Sequence, residues 1–173
     1  NAQNNEGKSP AHMALDQDVL DLLKDLTEHN ANLELKDKQG KTLFLKAIEK
    51  KNENITNFLI TQSVDTASTD NQGKSPLHAA LLADNLDLAK KLASDKAALN
   101  AQISNAPENV EKHMFIAATK YGQSAAHLAM EKGLFDFVDF LMDQGIDLDL
   151  QNDKGETILH QALLLKRPYE FIK

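Results

Sequence analysis

The sequence predicts an all-α solenoid of about five stacked helix-turn-helix repeats. Glycine recurs every 33 residues in two registers: Gly7, Gly40 and Gly73, then Gly122 and Gly155. Each of these glycines is followed two positions later by Ser or Thr, and residues 75–78 read Ser-Pro-Leu-His, a capping hydroxyl with proline in the first helical turn. A fixed period of this length marks units that pack only on their neighbours, so we expect one elongated stack.

The predicted repeats divide a single domain, residues 1–173, at regular points. They cover about residues 4–36, 37–69, 70–118, 119–151 and 152–173. Repeat 1 is expected to contain an inner helix from about Pro10 to Asp16 and an outer helix from about Val19 to His29. Leu22, Leu23 and Leu26 are expected to share one apolar face of the outer helix.

Repeats 2 and 3 differ in how well they keep the pattern. Residues 42–45 read Thr-Leu-Phe-Leu, so repeat 2 has neither the proline nor the histidine. We therefore expect its inner helix to be the least well set at its start. Repeat 3 keeps the whole pattern, and Leu88, Leu92 and Ala93 should face the core.

The spacing from Gly73 to Gly122 is 49 residues, which is one period plus 16. We place the extra residues at about 103–118, in the finger that joins repeats 3 and 4, and expect a short amphipathic helix there. Such an insertion costs little because loop-closure entropy grows slowly with length. Repeat 5 stops a few residues into its outer helix, so we expect a native chain to continue and this one to be a fragment of a longer array.

A 33-residue period with a Thr-Pro-Leu-His-like tetrapeptide resembles the ankyrin repeat, and the resemblance covers the whole chain. The resemblance implies a rigid, non-catalytic module that binds a partner protein or peptide. In that family, partners usually dock on the concave surface made by finger tips and inner helices.

Composition excludes several other classes of protein. The formal net charge is −7, which argues against a nucleic-acid partner, and the chain has no cysteine for a disulfide or a thiol nucleophile. No apolar run approaches the ~20 residues that span a bilayer, so we expect a soluble, monomeric chain without membrane insertion. The fold suggests a cytoplasmic location by analogy.

The histidines invite a metal or catalytic interpretation, but four of them occupy one slot of the repeat: His12, His78, His127 and His160. Equivalent positions of stacked helices lie ~8–10 Å apart, too far to share one zinc ion, so we interpret them as structural. His29 and His113 stand alone and are expected on the solvent side or in the insertion. The acidic residues between 143 and 153 lack the spacing of a calcium loop. Because no catalytic motif appears, we predict no enzyme activity, no metal and no cofactor.

The exposed positions of the concave surface follow from the repeat register. The candidate partner-binding residues are Lys38, Gln39, Lys41, Asn71, Gln72, Lys74, Leu82, Ala83, Tyr121, Gln123, Glu131 and Lys132. Most are polar, whereas Leu82 and Ala83, with Tyr121 in the neighbouring finger, form a candidate anchor. Alternatively, the inserted segment covers Leu82 and Ala83 through Met114 or Phe115.

Two further hypotheses depend on resemblance. Leu92 stands eight residues before Asn100, as in ankyrin repeats whose asparagine is hydroxylated by an intracellular oxygenase, so Asn100 is a candidate modification site. Residues 1–7 and 36–44 are similar to the endosomal scaffolds that combine BTB, ankyrin and FYVE regions, which implies partners in endocytic trafficking. The alternatives are an ankyrin-containing effector of an intracellular bacterium, or the targeting arm of an enzyme whose catalytic domain lies outside this sequence.

Overall fold

The computed structural model describes residues 1–94 and 123–165 of the chain. Within these two ranges every regular element is an α-helix, which confirms the predicted all-α class. The predicted insertion and the candidate residues Asn100 and Tyr121 lie outside the described residues. None of the described helices has the length and apolar character needed to cross a membrane.

The described helices alternate between seven-residue inner helices and nine-residue outer helices. The pairs are α1 (Pro10–Asp16) with α2 (Leu20–Glu28), α3 (Leu43–Glu49) with α4 (Glu53–Thr61), α5 (Pro76–Leu82) with α6 (Leu86–Ser94), and α7 (Ala125–Glu131) with α8 (Phe135–Asp143); α9 (Ile158–Leu164) is a further inner helix. The bounds of α1 agree with the prediction, and α2 begins and ends one residue inside it. The repeat boundaries stay a proposal.

The inner helices stack in chain order, with α3 between α1 and α5, and α7 between α5 and α9. An alanine lies at the same point of each inner helix and is 0–3 % exposed: Ala14, Ala47, Ala80, Ala129 and Ala162. A methyl group at this point lets neighbouring helices approach closely, and larger apolar side chains fill the space around it. Cohesion of the stack therefore comes from burial between successive repeats.

Each inner helix begins just after the hydroxyl residue that was predicted to cap it. The side-chain oxygen of this residue accepts a hydrogen bond from the backbone N–H three positions later, at Ser9, Thr42, Ser75, Ser124 and Thr157. The bond satisfies one of the N–H groups that the first turn of a helix leaves without a helical partner.

The start of the inner helix in repeat 2 is capped, but by fewer contacts than in the other repeats, because Leu45 cannot bond the capping hydroxyl as the histidines do. Thr42 Oγ1 accepts from the Leu45 N–H at 3.3 Å, much like the caps of the other repeats. Leu43 and Leu45, which replace the proline and the histidine, are fully buried, and Phe44 between them is nearly so. Apolar burial therefore stabilises the start of this helix and takes over the role that the fixed φ of proline has in other repeats.

The apolar face of α2 is narrower than predicted. Leu23 is fully buried and Leu26 packs against the core, but Leu22 is 42 % exposed. The buried face is centred on Leu23, with half-buried Leu20 and Leu26 on its two sides, and Leu22 lies about 100° from Leu23 around the helix, so it faces solvent. In α6, Leu88 and Leu92 are buried as predicted.

The turn between inner and outer helix uses a left-handed residue in each of the first four described pairs. These residues are Asp18, Lys51, Asp84 and Gly133, with φ between 55° and 70°. Only the last is the residue type that adopts this conformation without steric cost.

Replacing Lys51 with glycine is expected to raise the free energy of unfolding by about 0.5–1 kcal/mol, because glycine relieves the steric strain of a positive φ. Chemical denaturation measures the change. Lys24→Gly, in the exposed middle of α2, is the matched control and should lower the free energy of unfolding by about 1 kcal/mol. A Lys51→Gly protein less stable than wild type would contradict the strain argument.

Candidate partner-binding surface

An Asn or Asp side chain closes the finger loop before four of the described inner helices. Its Oδ1 atom accepts hydrogen bonds from the backbone N–H groups two and four residues later, at 2.8–3.0 Å, in the loops that begin at Asn4, Asp37, Asp70 and Asn152. The side chain thus replaces water as the partner of two loop amides. The sequence analysis missed this feature, although an Asn or Asp stands three residues before each of Gly7, Gly40, Gly73 and Gly155.

Neighbouring fingers are also hydrogen-bonded to each other. The Lys38 N–H donates to the Glu6 carbonyl at 3.1 Å, and the Asn71 N–H donates to the Gln39 carbonyl at 3.0 Å. The Asn71 side-chain amide adds a third bond, to the Lys38 carbonyl at 3.0 Å. The first three fingers therefore form one continuous ledge, along which Lys38, Gln39 and Asn71 are exposed residues.

The histidines of the repeated slot join each inner helix to the next finger, which confirms the structural interpretation for three of them. The contacts of Nε2 with a backbone carbonyl measure 3.0–3.4 Å: His12 with Lys41, His78 with Gln123, and His127 with Glu156. Because a carbonyl only accepts, Nε2 carries the proton and Nδ1 accepts from the capping hydroxyl. Burial lowers the pKa of His78 to about 4 despite the bond to the Gln123 carbonyl, and it also lowers the pKa of His12.

Two rows of side chains line the groove between the fingers and the ends of the inner helices. The finger row contains Lys8, Lys41, Lys74, Gln123 and Glu156, and the helix-end row contains Asp16, Glu49, Leu82, Glu131 and Leu164. Members of one repeat lie close together across the groove, as shown by Lys8 Nζ with Asp16 Oδ2 at 2.9 Å and by Lys41 Nζ with Glu49 Oε2 at 2.7 Å.

The ion pairs of the groove also join successive repeats. Lys50 reaches back to Asp16 at 3.1 Å, and Lys74 reaches back to the second carboxylate oxygen of Glu49. Burial opposes ionisation of Glu49, but the hydrogen bonds from Lys41 and Lys74 outweigh it and lower the pKa of this carboxyl group. We call these three side chains the Glu49 cluster.

The predicted anchor residues lie at the middle of the helix-end row. Leu82 is 48 % exposed and Ala83 is half-buried. On the far side, Gln123 donates to Glu131 at 2.6 Å, and Lys132 pairs with Asp84 of the preceding repeat. Leu82 is therefore an exposed apolar side chain in the helix-end row, between the slots of Glu49 and Glu131.

A second concavity lies between the outer helices α4 and α6 and has a volume of about 570 Å³. Its lining includes Thr56, Asn57 and Ile60, with charges of both signs from Glu53 and Lys91 at its rim. Nothing in the repeat register indicated this cavity, because it depends on the separation of two outer helices.

No part of the described chain offers a metal centre. Residues 1–94 and 123–165 contain no group of three or more His, Asp or Glu side chains arranged to hold an ion. Within the acidic segment 143–153, Asp147 instead accepts a hydrogen bond from the Asp149 N–H at 2.8 Å. His29 is exposed directly after α2, where its Nδ1 contacts the Asp25 carbonyl at 2.8 Å, while His113 lies outside the described residues.

The stacked helix pairs and the groove along them define a helical repeat protein, and comparison with known families gives the same class. The family described as ankyrin repeats in three copies matches residues 11–103, and the family described as ankyrin repeats in many copies matches residues 113–173. The chain therefore belongs to the ankyrin-repeat family, whose stacked repeats are protein-protein interaction modules.

Individual relatives are similar over most of this chain but over little of their own length. Ankyrin repeat protein L271 of Acanthamoeba polyphaga mimivirus is 25 % identical over 85 % of the chain and 20 % of its own length. Rabankyrin-5 of Mus musculus is 28 % identical over 68 % of the chain and 10 % of its own length. E3 ubiquitin-protein ligase KEG of Arabidopsis thaliana is 27 % identical over 66 % of the chain and 6 % of its own length. The chain thus spans a fifth or less of each relative.

Proposed function

We propose that the chain is a non-catalytic recognition module that binds a partner protein or peptide in its concave groove, with Leu82 and Ala83 as the anchor. The observation that carries the proposal is the exposure of Leu82, 48 %, at a slot where the neighbouring repeats have glutamate. Covering an exposed leucine contributes about 1–2 kcal/mol to binding, whereas the paired charges around it contribute mainly to orientation.

The rigidity of the groove supports this proposal. Hydrogen bonds join finger to finger, and inner helices to fingers, so few backbone groups would have to become ordered when a partner binds. A preformed surface loses less conformational entropy on association than a flexible one. Lys38, Gln39, Asn71 and Gln72 on the ledge, with Tyr121 in the next finger, are proposed as the polar and aromatic rim.

The cellular setting is a further part of the proposal. We propose a cytoplasmic role in endocytic trafficking, supported by the similarity to Rabankyrin-5 and by the resemblance of residues 1–7 and 36–44 to endosomal scaffolds. The similarity to E3 ubiquitin-protein ligase KEG supports a second candidate, a targeting arm of an enzyme such as a ubiquitin ligase. The sequence of the parent gene separates them, because the first predicts a FYVE zinc-binding cysteine cluster and the second a catalytic motif.

Photo-crosslinking tests whether a partner binds in the groove. A benzophenone amino acid placed at position 82 should crosslink to a partner in cells, and Leu82→Asp should lower the affinity for that partner at least tenfold, because a buried unpaired carboxylate opposes docking. Leu22 provides the matched control, since it is a leucine of similar exposure on α2. Leu22→Asp should leave the affinity unchanged. Equal losses from both substitutions, or crosslinks at position 22 alone, would place the binding surface elsewhere.

A further inference from the structure

We propose that this chain associates head to tail with further copies of itself through the two open ends of its stack. The N-terminal face contains three residues of repeat 1: Pro10, Met13 and Leu22. The C-terminal face contains three residues of α9: Leu159, His160 and Leu163. In this association, the N-terminal face of one copy packs on the C-terminal face of the next. The contact is separate from the concave groove, and it differs from the monomer that the sequence predicts.

Exposed apolar side chains are concentrated at the two ends of the described stack. Within residues 1–94 and 123–165, Leu82 is the one large apolar side chain of the middle repeats that is strongly exposed. The others belong to repeat 1 or to α9 and the residue after it, and they are 38–69 % exposed: Met13, Val19, Leu22, Leu159, Leu163, Leu164 and Leu165. The ends therefore present apolar surface that the middle of the stack buries.

The N-terminal face is exposed only in repeat 1. Leu22 is 42 % exposed, whereas the residues at its position in the later described repeats are 0–8 % exposed: Ile55, Leu88 and Phe137. Pro10 is also exposed, whereas the residues at its position are buried: Leu43, Pro76, Ala125 and Ile158. Each of these later residues belongs to a repeat with another repeat stacked before it. The N-terminal face is therefore a surface of the kind on which a preceding repeat packs.

The C-terminal face shows the converse pattern. Leu163 is 60 % exposed, whereas the residues at its position in the earlier repeats are 0–3 % exposed: Leu15, Ile48, Leu81 and Met130. His160 is exposed, whereas the other histidines of this slot are buried and contact a carbonyl of the following finger through Nε2. Nδ1 of His160 accepts from the Thr157 N–H at 3.2 Å, so Nε2 carries a proton that can be donated to a following finger.

The first finger offers the acceptor that matches this histidine. The Lys8 and Lys41 carbonyls each accept the backbone hydrogen bond that closes their own finger, at 3.0 Å. The Lys41 carbonyl also contacts Nε2 of His12 in the preceding repeat. Among the described residues, no second donor reaches the Lys8 carbonyl, although a carbonyl oxygen has two lone pairs. By the same register, His160 of a second copy would donate to Lys8.

One chain therefore carries both halves of the interface. Every contact between neighbouring repeats in the described stack joins the C-terminal side of one repeat to the N-terminal side of the next, and one side of each kind is left open. A contact between two different faces is heterologous, so each added copy presents a new open face and the assembly grows linearly. The faces contain few apolar side chains, and docking costs rotational and translational entropy, so we expect a dissociation constant of the order of 10–100 µM.

Sedimentation equilibrium of the whole chain tests the association. The weight-average mass of wild type should rise continuously with concentration and exceed that of two copies near about 1 mM. Leu22→Asp on the N-terminal face and Leu163→Asp on the C-terminal face should each weaken association about tenfold or more, because docking would bury an unpaired carboxylate. Both leucines are exposed in a single copy, so both variants should keep the wild-type circular dichroism spectrum. Leu82→Asp is the matched control, an exposed leucine away from both ends, and should associate like wild type.

Mixing the two blocked variants distinguishes head-to-tail contact from other geometries. The Leu22→Asp copy retains its C-terminal face, and the Leu163→Asp copy retains its N-terminal face. An equimolar mixture should therefore form a dimer and no larger species, although each variant alone is largely monomeric. A benzophenone amino acid at position 22 should also crosslink two copies of this chain, with the second attachment in α9. This product differs from the crosslink to a partner protein that is expected at position 82.

Three results would overturn the inference, and none of them bears on the proposed function. A wild-type chain that keeps the mass of one copy up to about 1 mM would leave these faces to a further repeat of a longer protein. Association that Leu22→Asp and Leu163→Asp leave unchanged would place the contact elsewhere. A mixture of the two variants that stays monomeric while wild type associates would show that like faces pair with each other.

Discussion

Gly40→Ala is expected to lower the free energy of unfolding by about 3 kcal/mol, because two separate costs meet at this residue. Gly40 has a φ of +77°, which an alanine adopts only with strain. A Cβ atom at this position would also lie 2.7 Å from the Asn71 backbone nitrogen and 2.3 Å from its Oδ1 atom. The clash would push the third finger away and break the bonds from Asn71 to Gln39 and Lys38.

Gly155→Ala separates the cost of backbone strain from the cost of the clash with the next finger. Gly155 has nearly the same conformation, with a φ of +74°, but a Cβ atom there would meet nothing within 4 Å. We therefore expect a loss of about 1 kcal/mol from strain alone. Urea denaturation of both variants measures the difference, and equal losses would show that finger-to-finger contact contributes nothing at Gly40. Gly7→Ala should behave like Gly40→Ala, because its Cβ atom would lie 2.8 Å from the Lys38 nitrogen.

These glycines show how far the sequence could predict the fold. Their spacing was enough to predict repeats, hydroxyl caps and helix pairs, because local turn chemistry and periodicity determine those features. The reason that Gly40 must be glycine was not visible, because it depends on the distance to a finger 31 residues later. The support that buried Leu43 and Leu45 give to repeat 2 was not visible either, because it depends on packing against neighbouring helices and not on local signals such as proline and histidine.

The candidate site could be predicted from the sequence to about the same extent as the fold. Register alone assigned Lys74, Leu82 and their neighbours to one groove, and their part in binding stays a prediction. Which charges pair could not be predicted, because Lys74 bonds to Glu49 of the preceding repeat and not to a residue of its own. Contacts between repeats depend on the rise and rotation from one repeat to the next, which the sequence pattern does not specify.

Acidification is expected to destabilise the chain before its carboxylates titrate, because the buried imidazole of His78 resists protonation. The side chain is 1 % exposed, and Nε2 donates to the Gln123 carbonyl at 3.1 Å while Nδ1 accepts from Ser75 Oγ at 2.8 Å. A second proton would have to enter at Nδ1, next to a hydroxyl already oriented towards it. Burial, reinforced by the nearby charge of Lys74 and opposed by Asp70 and the carbonyl, lowers the pKa to about 4.

The direction of the pH effect follows from the two states. The unfolded chain, in which the histidine pKa is near 6.5, binds a proton that the folded chain excludes, so stability is complete above pH 6.5 and falls as the pH drops towards 4. Between pH 6.5 and pH 4.5 we expect His78 to account for a loss of about 2–3 kcal/mol. The lowered pKa of His12 adds to the loss in the same direction. Below pH 4.5 the carboxyl groups of Glu49, Asp37 and Asp16 contribute as well, because their pKa values are lowered by their lysine partners and by backbone hydrogen bonds.

His78→Leu isolates the contribution of this residue, and repeat 2 shows why the variant should fold. Leu45 occupies the same slot there and is fully buried without any bond to the next finger. At pH 8 the variant should be about 1–2 kcal/mol less stable, because the Gln123 carbonyl loses its partner. Between pH 6.5 and pH 4.5 its urea midpoint should fall by less than half as much as that of wild type. A wild-type midpoint that is constant over this range, or a decline that His78→Leu leaves unaltered, would show that the imidazole is protonated in the folded chain and that burial does not hold it neutral.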